Sequence, residues 1–492
     1  MELSGLNTVI IGSGIGGLAA GALLASRGAL VTVLEAQGYP GGCAATFARQ
    51  GYRFDAGATV GCGFHPGGPM DMLGRELGIT WPVRQETVAW RYCHGSLTLD
   101  LDRQGSGVLE RFPESRAFWQ EQSVLSALLW KLAAGGLPWP PASIADLALL
   151  LRKGFSGFPG TSRLLHFAAK TAYEWLVEHR LETNAEFMRF IDAQLLISAQ
   201  ATSREANAVN AAIALDLPFS GAWHIEGGIG RISEQLALSI EQHGGTVLYR
   251  ERVERMHTIR RQVFGVETSG GLSLAADLFL ANLTPASLAL LAGISSDSPL
   301  LRQKGPVHRW GTVTLYLGLD AAIAAGAGER HLQIIGQSGN PGEGNSIFAS
   351  FSMPGEEGRA PRGCAAVTVS THSRPEPWFA AVGKSREEYL RLKSTYIDKM
   401  LDLLALHIPG LREGIRFLEA GTPLTWERYT GRHRGYVGGY PQTSLFDVRD
   451  PATGFDNMLL VGDSVFPGQS LPGVVTGARR VVELAGRGVG SR

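Results

Sequence analysis

The hydrophobic pattern of the first 35 residues predicts a buried strand, a helix and a second buried strand. Residues 7–12 are rich in β-branched and apolar side chains, as buried strands are. Residues 15–27 follow as a helix with small residues on the side that would face a sheet. Residues 30–34 form the second strand, which Glu35 closes. This βαβ unit predicts an α/β domain with a parallel sheet at the N-terminus.

Residues 71–220 change character, because helix-type patterns dominate there and strand patterns are few. Within 119–170 the apolar runs are interrupted by Gly135-Gly136 and by residues 138–141, so none reaches the ~20 residues of a spanning helix. Two interpretations stay open for this region. It is either a helical cap packed on the core, or a surface that lies on a bilayer with its Trp and Phe side chains inserted.

Strand patterns return in the second half of the chain. They lie at 246–249, 263–268, 277–281, 308–318 and 364–371, and a charged helix is predicted at about 385–405. A last strand is predicted at 457–464, where it runs into a glycine-rich turn and a helix from about residue 473. Because the chain returns to a buried strand so near its end, we expect interleaved domains.

Composition excludes several classes of function. The chain has 45 basic and 45 acidic residues, so it lacks the positive field that steers proteins to nucleic acid. Its four cysteines form no CxxC pair and its twelve histidines show no HxxxH spacing, so we assign no metal. The cysteines also give no disulfide framework, which favours a reducing, cytoplasmic setting.

The segment Gly12-Ser13-Gly14-Ile15-Gly16-Gly17 matches the G-x-G-x-x-G pattern between a strand and a helix. The first glycine permits a tight turn, the second lets the backbone approach a pyrophosphate, and the third lets helix pack on strand. Glu35 stands at the end of the second strand, where a carboxylate accepts hydrogen bonds from a ribose diol. The combination predicts dinucleotide binding, and the free acid disfavours the 2′-phosphate of NADP.

Two further features favour FAD over NAD. Gly41-Gly42 follows the acid closely, where NAD enzymes normally continue into a crossover helix. Gly462-Asp463 stands between a buried strand and a helix, where an acid can hold a ribityl chain and the helix N-terminus faces a flavin carbonyl.

The whole chain resembles the superfamily of FAD-dependent carotenoid desaturases and isomerases, which includes phytoene desaturases. It looks most similar to the carotenoid cis–trans isomerase branch. The matching pieces run in family order from end to end: Val9–Gly17, Glu35, Pro40–Gly42, Tyr52–Gly57, Phe190–Ala193, Glu226–Gly230, His243–Gly245 and Val461–Gln469.

The resemblance implies an α/β fold in which a Rossmann-like FAD-binding domain is interleaved with an α+β substrate domain. We expect the first domain at 1–70, 222–292 and 420–492. The second, at 71–221 and 293–419, would have a mixed sheet and a helical region at 119–170, for which the core-packed and the membrane-facing interpretations both stay open.

The resemblance also implies a cofactor site. Gly12, Gly14 and Gly17 would hold the pyrophosphate, Glu35 the adenosine ribose and Val253 the adenine. Gly41 and Gly42 would line the flavin side, Asp463 would contact the ribityl-phosphate arm, and the segment from Leu471 to Thr476 would lie beside the isoalloxazine. The full expected set adds Ile15, Gly16, Ala36, Gly462, Val474 and Val475.

Catalytic candidates are weaker. Glu226 could assist proton movement with Arg231 holding it charged, although an ordinary surface ion pair explains the two equally well. The basic run Arg428, Arg432, His433 and Arg434 could neutralise a quinone or a phosphate, but such runs usually face solvent. Cys43 follows Gly42 without an evident base, so a small core residue is the better interpretation.

These observations predict a flavoenzyme that acts on a long apolar polyene, by desaturation or by cis–trans isomerisation. A quinone or oxygen would accept electrons in desaturation, and the protein would associate peripherally with a membrane. Two alternatives stay open. The first is a retinol-saturase-like or amine-oxidase-like enzyme, for which Tyr436 and Tyr440 are the nearby aromatic pair. The second is a prenyl binder without FAD that resembles the GDP-dissociation inhibitors.

Overall fold

The computed structural model describes residues 3–489 except 137, 142, 157–159, 296–297, 299–309 and 354. Nineteen strands are present in that part of the chain. In chain order they are β1 Asn7–Ile11, β2 Leu30–Glu35, β3 Thr46–Arg49, β4 Tyr52–Asp55, β5 Val83–Gln85, β6 Val88–His94, β7 Leu97–Asp102, β8 Trp223–Ile225, β9 Thr246–Tyr249, β10 Val253–Ile259, β11 Gln262–Thr268, β12 Ser273–Leu274, β13 Leu278–Ala281, β14 Gly311–Asp320, β15 His331–Ile335, β16 Ser346–Phe351, β17 Cys364–Ser373, β18 Ile415–Gly421 and β19 Met458–Leu460.

Helices cover much of the rest of the described chain. They are α1 Ile15–Ser26, α2 Pro69–Leu77, α3 Ser106–Arg111, α4 Arg116–Ala134, α5 Ile144–Ser156, α6 Gly160–Ala168, α7 Ala172–Glu178, α8 Ala185–Ala199, α9 Ala208–Ser220, α10 Gly230–Gln242, α11 Pro285–Leu291, α12 Ala321–Ala325, α13 Glu376–Lys384, α14 Arg386–Ala405, α15 Leu411–Gly414, α16 Pro423–Thr430 and α17 Leu471–Val489. None of the described helices is long and apolar enough to cross a membrane.

A five-stranded parallel sheet in the order β19-β13-β1-β2-β9 forms the first layer. Its central strand is buried on both faces, as parallel strands between helices are. The glycines and alanines of α1 let that helix lie close to the sheet, since a Cβ at Gly21 would be 2.9 Å from the Ile10 side chain. The predicted Rossmann-like α/β fold is confirmed.

The second layer is a seven-stranded mixed sheet in the order β18-β14-β17-β16-β15-β6-β7. Neighbouring strands are antiparallel except for β15 and β6, which are parallel. Helix α14 covers one face, burying Met400, Leu401 and Leu404 against the sheet. The predicted mixed sheet is therefore present, and the charged helix predicted at 385–405 is confirmed at Arg386–Ala405.

Two sequence predictions about strands need correction. The strand predicted at 457–464 ends at Leu460, because Gly462 takes a φ of +107° and turns the chain. The hairpin of β6 and β7 lies inside the segment that was predicted to be mainly helical, and it forms the edge of the mixed sheet. Helices α4, α6, α7, α8 and α9 of that segment pack around a separate aromatic core.

Candidate functional site

A groove runs along the carboxyl edge of the parallel sheet, where ligands of open α/β sheets bind. Its cavity volume is about 380 Å³, within the range of small-molecule sites. Twelve of the predicted cofactor residues line it: Gly12, Gly14, Ile15, Gly16, Glu35, Ala36, Gly41, Gly42, Val253, Gly462, Asp463 and Val474.

Three predicted cofactor residues lie elsewhere. A Cβ at Gly17 would be 2.5 Å from the Gly12 carbonyl oxygen, so this glycine serves the packing of α1 on β1 rather than a direct ligand contact. Val475 is fully buried in the core, and Leu471 packs on the same core while half-buried. Within the segment from Leu471 to Thr476, Val474 is the residue that lines the groove.

The glycine-rich turn places the N-terminus of α1 at the floor of the groove. Gly14 is the N-cap residue, and no side chain caps this helix end. The first amides of α1 therefore remain available for an anion, which the positive end of the helix dipole also favours. Gly16 lies so close to the Gly462 turn that a Cβ would be 2.6 Å from the Gly462 Cα atom.

Asn282, at the end of β13, holds the turn in place. Its Oδ1 atom accepts a hydrogen bond from the Gly14 amide at 3.0 Å, and its Nδ2 atom donates to the Val461 carbonyl at 3.2 Å. The side chain thereby joins the first and last parts of the sheet. No local sequence motif marks Asn282, although the carboxyl end of a strand next to β1 is where ligand-site residues gather.

Glu35 is held in place by hydrogen bonds from its own chain. Its Oε2 atom accepts hydrogen bonds from the Ser13 amide at 2.9 Å and the Ser13 hydroxyl at 2.6 Å, and Oε1 accepts from the Gln37 amide at 2.7 Å. These donors keep the buried carboxylate in one orientation facing the groove. Ser13, a variable position of the G-x-G-x-x-G pattern, thus positions the predicted ribose acceptor.

Asp463 forms a partly buried ion pair with Arg432. The Nη1 and Nη2 atoms of Arg432 lie 3.1 Å and 3.0 Å from the Asp463 carboxylate oxygens. Arg432 also lines the groove, so it does not simply face solvent as charged runs usually do. Burial raises the pKa of the neighbouring Cys43 thiol to about 11, against the charge of Arg432, so this cysteine stays protonated at neutral pH.

Glu226 and Arg231 do not form a site. Glu226 is exposed, and Arg231 pairs with Glu234 at 2.5 Å on the surface of α10. Neither residue lines the groove. Arg231 is thus paired with Glu234 rather than with Glu226.

The structure also shows the surroundings of Tyr436 and Tyr440 and of the possible metal ligands. Tyr436 donates a hydrogen bond to Glu376 at 3.0 Å, whereas Tyr440 is buried against Gly468, so the two tyrosines point to different surroundings. In the part of the chain that the structure describes, no group of three or more His, Cys, Asp or Glu residues could hold a metal ion.

A second, mainly apolar cavity of about 400 Å³ lies beside the Phe466-Pro467 turn and α17. Val474 lines the dinucleotide groove and Thr476 lines this cavity, so the start of α17 contributes to the walls of both. Its apolar wall comes from the ends of α4, α6 and α9 and the loop before α17, with Leu129, Leu132, Trp139, Leu164, Ile213, Leu445 and Phe466.

The hydrogen-bonding groups that line the groove fit a flavin-type dinucleotide cofactor. The close-packed glycines leave a cradle for a pyrophosphate at the start of α1, Glu35 offers a fixed acceptor, and Asp463 offers a second one at the other end.

Comparisons with known proteins agree with this arrangement. The family model of the NAD(P)-binding Rossmann-like domain matches residues 10–77. Prolycopene isomerase 1 of an Oncidium hybrid cultivar is 26% identical, covering 96% of this chain and 82% of its own. The 1-hydroxycarotenoid 3,4-desaturase of Flavobacterium sp. is 23% identical over 97% and 98%. The all-trans-retinol 13,14-reductase of Danio rerio is 25% identical over 88% and 77%.

Solved structures show the same fold. An oxidoreductase from Methanosarcina mazei superposes with a TM-score of 0.65 at 17% identity, covering 97% of this chain and all (100%) of its own. Cyclohexylamine oxidase from Brevibacterium oxydans gives 0.59 at 16% identity, with 99% of both chains covered. Over nearly its full length, the chain is therefore similar to carotenoid isomerases and desaturases.

Proposed function

We propose that this protein is a FAD-dependent oxidoreductase that desaturates or isomerises a long apolar polyene. The observation that carries the proposal is the pairing of two cavities along one segment. The dinucleotide groove ends at Asp463 and Val474, and the apolar cavity begins at Phe466 and Thr476. A redox cofactor and an uncharged substrate can therefore meet at the start of α17.

Different residues of the groove would bind different parts of FAD. The first amides of α1 would take the pyrophosphate, Glu35 the adenosine ribose and Asp463 the ribityl-phosphate arm. When bound, FAD supplies the electron transfer that carbon–carbon desaturation needs, with a quinone or oxygen as final acceptor, and isomerisation uses it without net redox change.

The apolar cavity suits a hydrocarbon, because it offers packing surface and few polar groups. Leucine, isoleucine, tryptophan and phenylalanine side chains form its wall, and charged groups lie at one side only, at Arg479, Arg480 and Glu483. An uncharged polyene needs neither a steering charge nor a buried ion partner. The wall orients the substrate and excludes water from it.

We also propose that the protein lies peripherally on a membrane through α5 and α6. Ile144, Leu147, Leu151 and Leu165 are exposed there, at 88%, 51%, 56% and 78% of their surface. Leu164, next to Leu165, lines the apolar cavity. A substrate dissolved in a bilayer would thus enter from the lipid phase, and exposed apolar patches of this kind mark interaction surfaces.

The cofactor is tested by the colour of the purified protein. We expect bound-flavin absorption at about 370 and 450 nm, the bands of a cofactor that the protein merely positions. A colourless protein that cannot be loaded with FAD would contradict the proposal and favour the prenyl-binder alternative.

The reaction is tested by incubating the oxidised and the reduced flavoprotein with candidate carotenes. Loss of two hydrogens in the product mass means desaturation, and an unchanged mass with altered retention means isomerisation. A gain of two hydrogens would identify the saturase alternative, and turnover of amines only would identify the oxidase alternative. A flavoprotein that converts no polyene would overturn the substrate proposal.

Membrane binding is tested by flotation with vesicles of phosphatidylcholine and phosphatidylglycerol. We expect the wild type to float with the vesicles and the I144S/L151S variant to stay in the soluble fraction. L406S, which removes another exposed leucine far from this patch in the sequence, is the matched control. Equal flotation of all three proteins would count against α5 as the docking surface.

A further inference from the structure

Arg432 occupies a fixed position in the wall of the dinucleotide groove. It follows Gly431, which ends α16 with a φ of +65°. The Ser287 hydroxyl donates to the Gly431 carbonyl at 2.9 Å and accepts from the His433 amide at 3.0 Å. The backbone is therefore held by hydrogen bonds on both sides of Arg432, which fixes this part of the groove wall.

The Arg432 side chain is also held, yet it keeps donors to spare. Its Nε atom donates to the Tyr436 carbonyl, and its Nη atoms donate to Asp463 at 3.1 Å. A guanidinium has five N–H donors, so the three bonds to Tyr436 and Asp463 leave two, and one of these two faces the Cys43 thiol. Only 14% of the side chain is exposed, so water screens its charge weakly.

The groove is lined by more acidic than basic side chains, so a phosphate bound there would require a nearby cation such as Arg432. Its described lining contains four carboxylates, Glu35, Glu251, Glu427 and Asp463. It contains two arginines, Arg252 and Arg432, and Arg252 is exposed to solvent. A dinucleotide adds the negative charges of its pyrophosphate to this acid-rich surface. Without a buried cation, the helix N-terminus alone would have to offset the repulsion.

We propose that Arg432 is a direct ligand of the FAD phosphates, bridging them to the Asp463 carboxylate. The inference rests on the proposed binding of FAD. Arg432 would keep its bonds to Asp463 and use its remaining N–H groups on the phosphate next to the ribityl chain. Guanidinium groups suit this role, because their planar donors match phosphate oxygens.

A purely supporting role for Arg432 is the alternative. Arg432 would then only neutralise Asp463, and its removal would matter only while that acid is charged. The two roles separate in a double-mutant cycle with Asp463→Asn, because a direct ligand of the phosphates still contributes when residue 463 is neutral.

The experiment titrates FAD into apoprotein and follows the quenching of flavin fluorescence, at low salt and at high salt. We expect R432M to weaken FAD binding by about 10- to 100-fold, the loss that a charge-assisted hydrogen bond entails. We expect a loss of at least about tenfold from the same substitution within D463N. The affinity of R432M should also depend less on salt than that of the wild type.

R434M is the matched control, because it removes a positive charge from the same segment. The Arg434 guanidinium lies over the Phe379 ring and does not line the groove. We expect its FAD affinity to stay within about twofold of the wild type, as for surface charges generally. Circular dichroism of each apoprotein checks folding. If R432M does not fold, R432K carries the test, with weaker FAD binding at a retained salt dependence.

The outcomes separate this inference from the proposed function. Equal affinities of R432M and R434M would overturn it, as would an R432M substitution that has no effect within D463N. If R432K replaces R432M, an affinity equal to that of the wild type overturns the inference. A wild-type protein that binds no FAD overturns both the proposed function and the role of Arg432.

Discussion

At the scale of single residues, the close contact between Gly16 and Gly462 makes a sharp prediction. A Cβ at Gly16 would lie 2.6 Å from the Gly462 Cα atom and 2.9 Å from its nitrogen. Both are backbone atoms, so the start of α1 must move away from the last turn of the groove. We expect G16A to lose about 1–3 kcal/mol of unfolding free energy, the usual cost of overpacking, and to bind FAD more weakly.

Thermal melting and FAD titration measure both effects. G383A is the matched control, because a Cβ at Gly383 in α13 meets nothing within 4 Å. Helix propensity favours alanine there by up to about 1 kcal/mol, so its stability should hold or rise. A G16A protein as stable as G383A would mean that the turn is free to relax and that its packing does not shape the groove.

Residue-scale inference from the sequence succeeded where the pattern is local. Gly12, Gly14, Gly16 and Glu35 lie within one βαβ unit, whose geometry follows from strand, turn and helix. Asn282 escaped notice, because its contact with Gly14 exists only once β13 has paired with β1. Arg432 was named only as one member of a basic run, since a charged run gives no sign of which of its members turns inward.

At the scale of elements, a buried ion pair ties the exposed helix α5 to the C-terminal helix α17. Asp146 is only 1% exposed, and its carboxylate lies 2.5 Å from both Arg480 and Arg487. We expect D146N to cost about 3–5 kcal/mol, because it leaves the buried guanidinium of Arg480 without its charge partner. Thermal melting measures the loss, and limited proteolysis shows whether α5 detaches.

The same cluster supplies the control for this prediction. Arg487 is 42% exposed, so water can replace its contact with Asp146. R487M should therefore cost about 1 kcal/mol or less, as exposed ion pairs do. Similar losses in D146N and R487M would show that the burial of Arg480 contributes little to holding α5.

Element-scale prediction worked best for long segments with a single environment. Helix α14 was predicted to within a residue, because its Ser385 N-cap and its apolar face are both local signals. The hairpin of β6 and β7 was missed, since β6 gains its place only by pairing with the distant β15. The last strand was predicted to be too long, because an apolar run does not reveal that the chain turns at Gly462.

At the scale of the whole molecule, a buried network joins the helix-covered parallel sheet to the mixed sheet. His224 and the Gly227 amide stand before α10, whereas Glu356 lies in the loop between β16 and β17. Glu356 Oε1 accepts from Gly227 at 2.7 Å and lies 3.3 Å from His224 Nε2. Arg330 donates to the other nitrogen of His224, so Nε2 carries the hydrogen that faces Glu356.

These contacts of Glu356 predict that part of the free energy of unfolding is lost at acidic pH. Burial alone would raise the pKa of Glu356, but hydrogen bonds from His224 and Gly227, with the charge of Arg359, lower it to about 2. In the unfolded chain a glutamate titrates near pH ~4.3. The folded state therefore keeps this carboxylate charged after the unfolded chain has taken up a proton. Its contribution is complete above about pH 5 and disappears as the pH falls towards 2.

E356Q should remove that contribution, which is on the order of 3 kcal/mol. The free energy of unfolding, measured by urea denaturation between about pH 6 and pH 2.5, should differ most between wild type and variant at the upper end. The difference should narrow towards the acid end, because the wild-type carboxylate then gains its proton in both states. E357Q changes the exposed neighbouring glutamate and should give a curve parallel to that of the wild type. A difference that stays constant over the whole range would mean that Glu356 joins the two sheets through its shape rather than its charge.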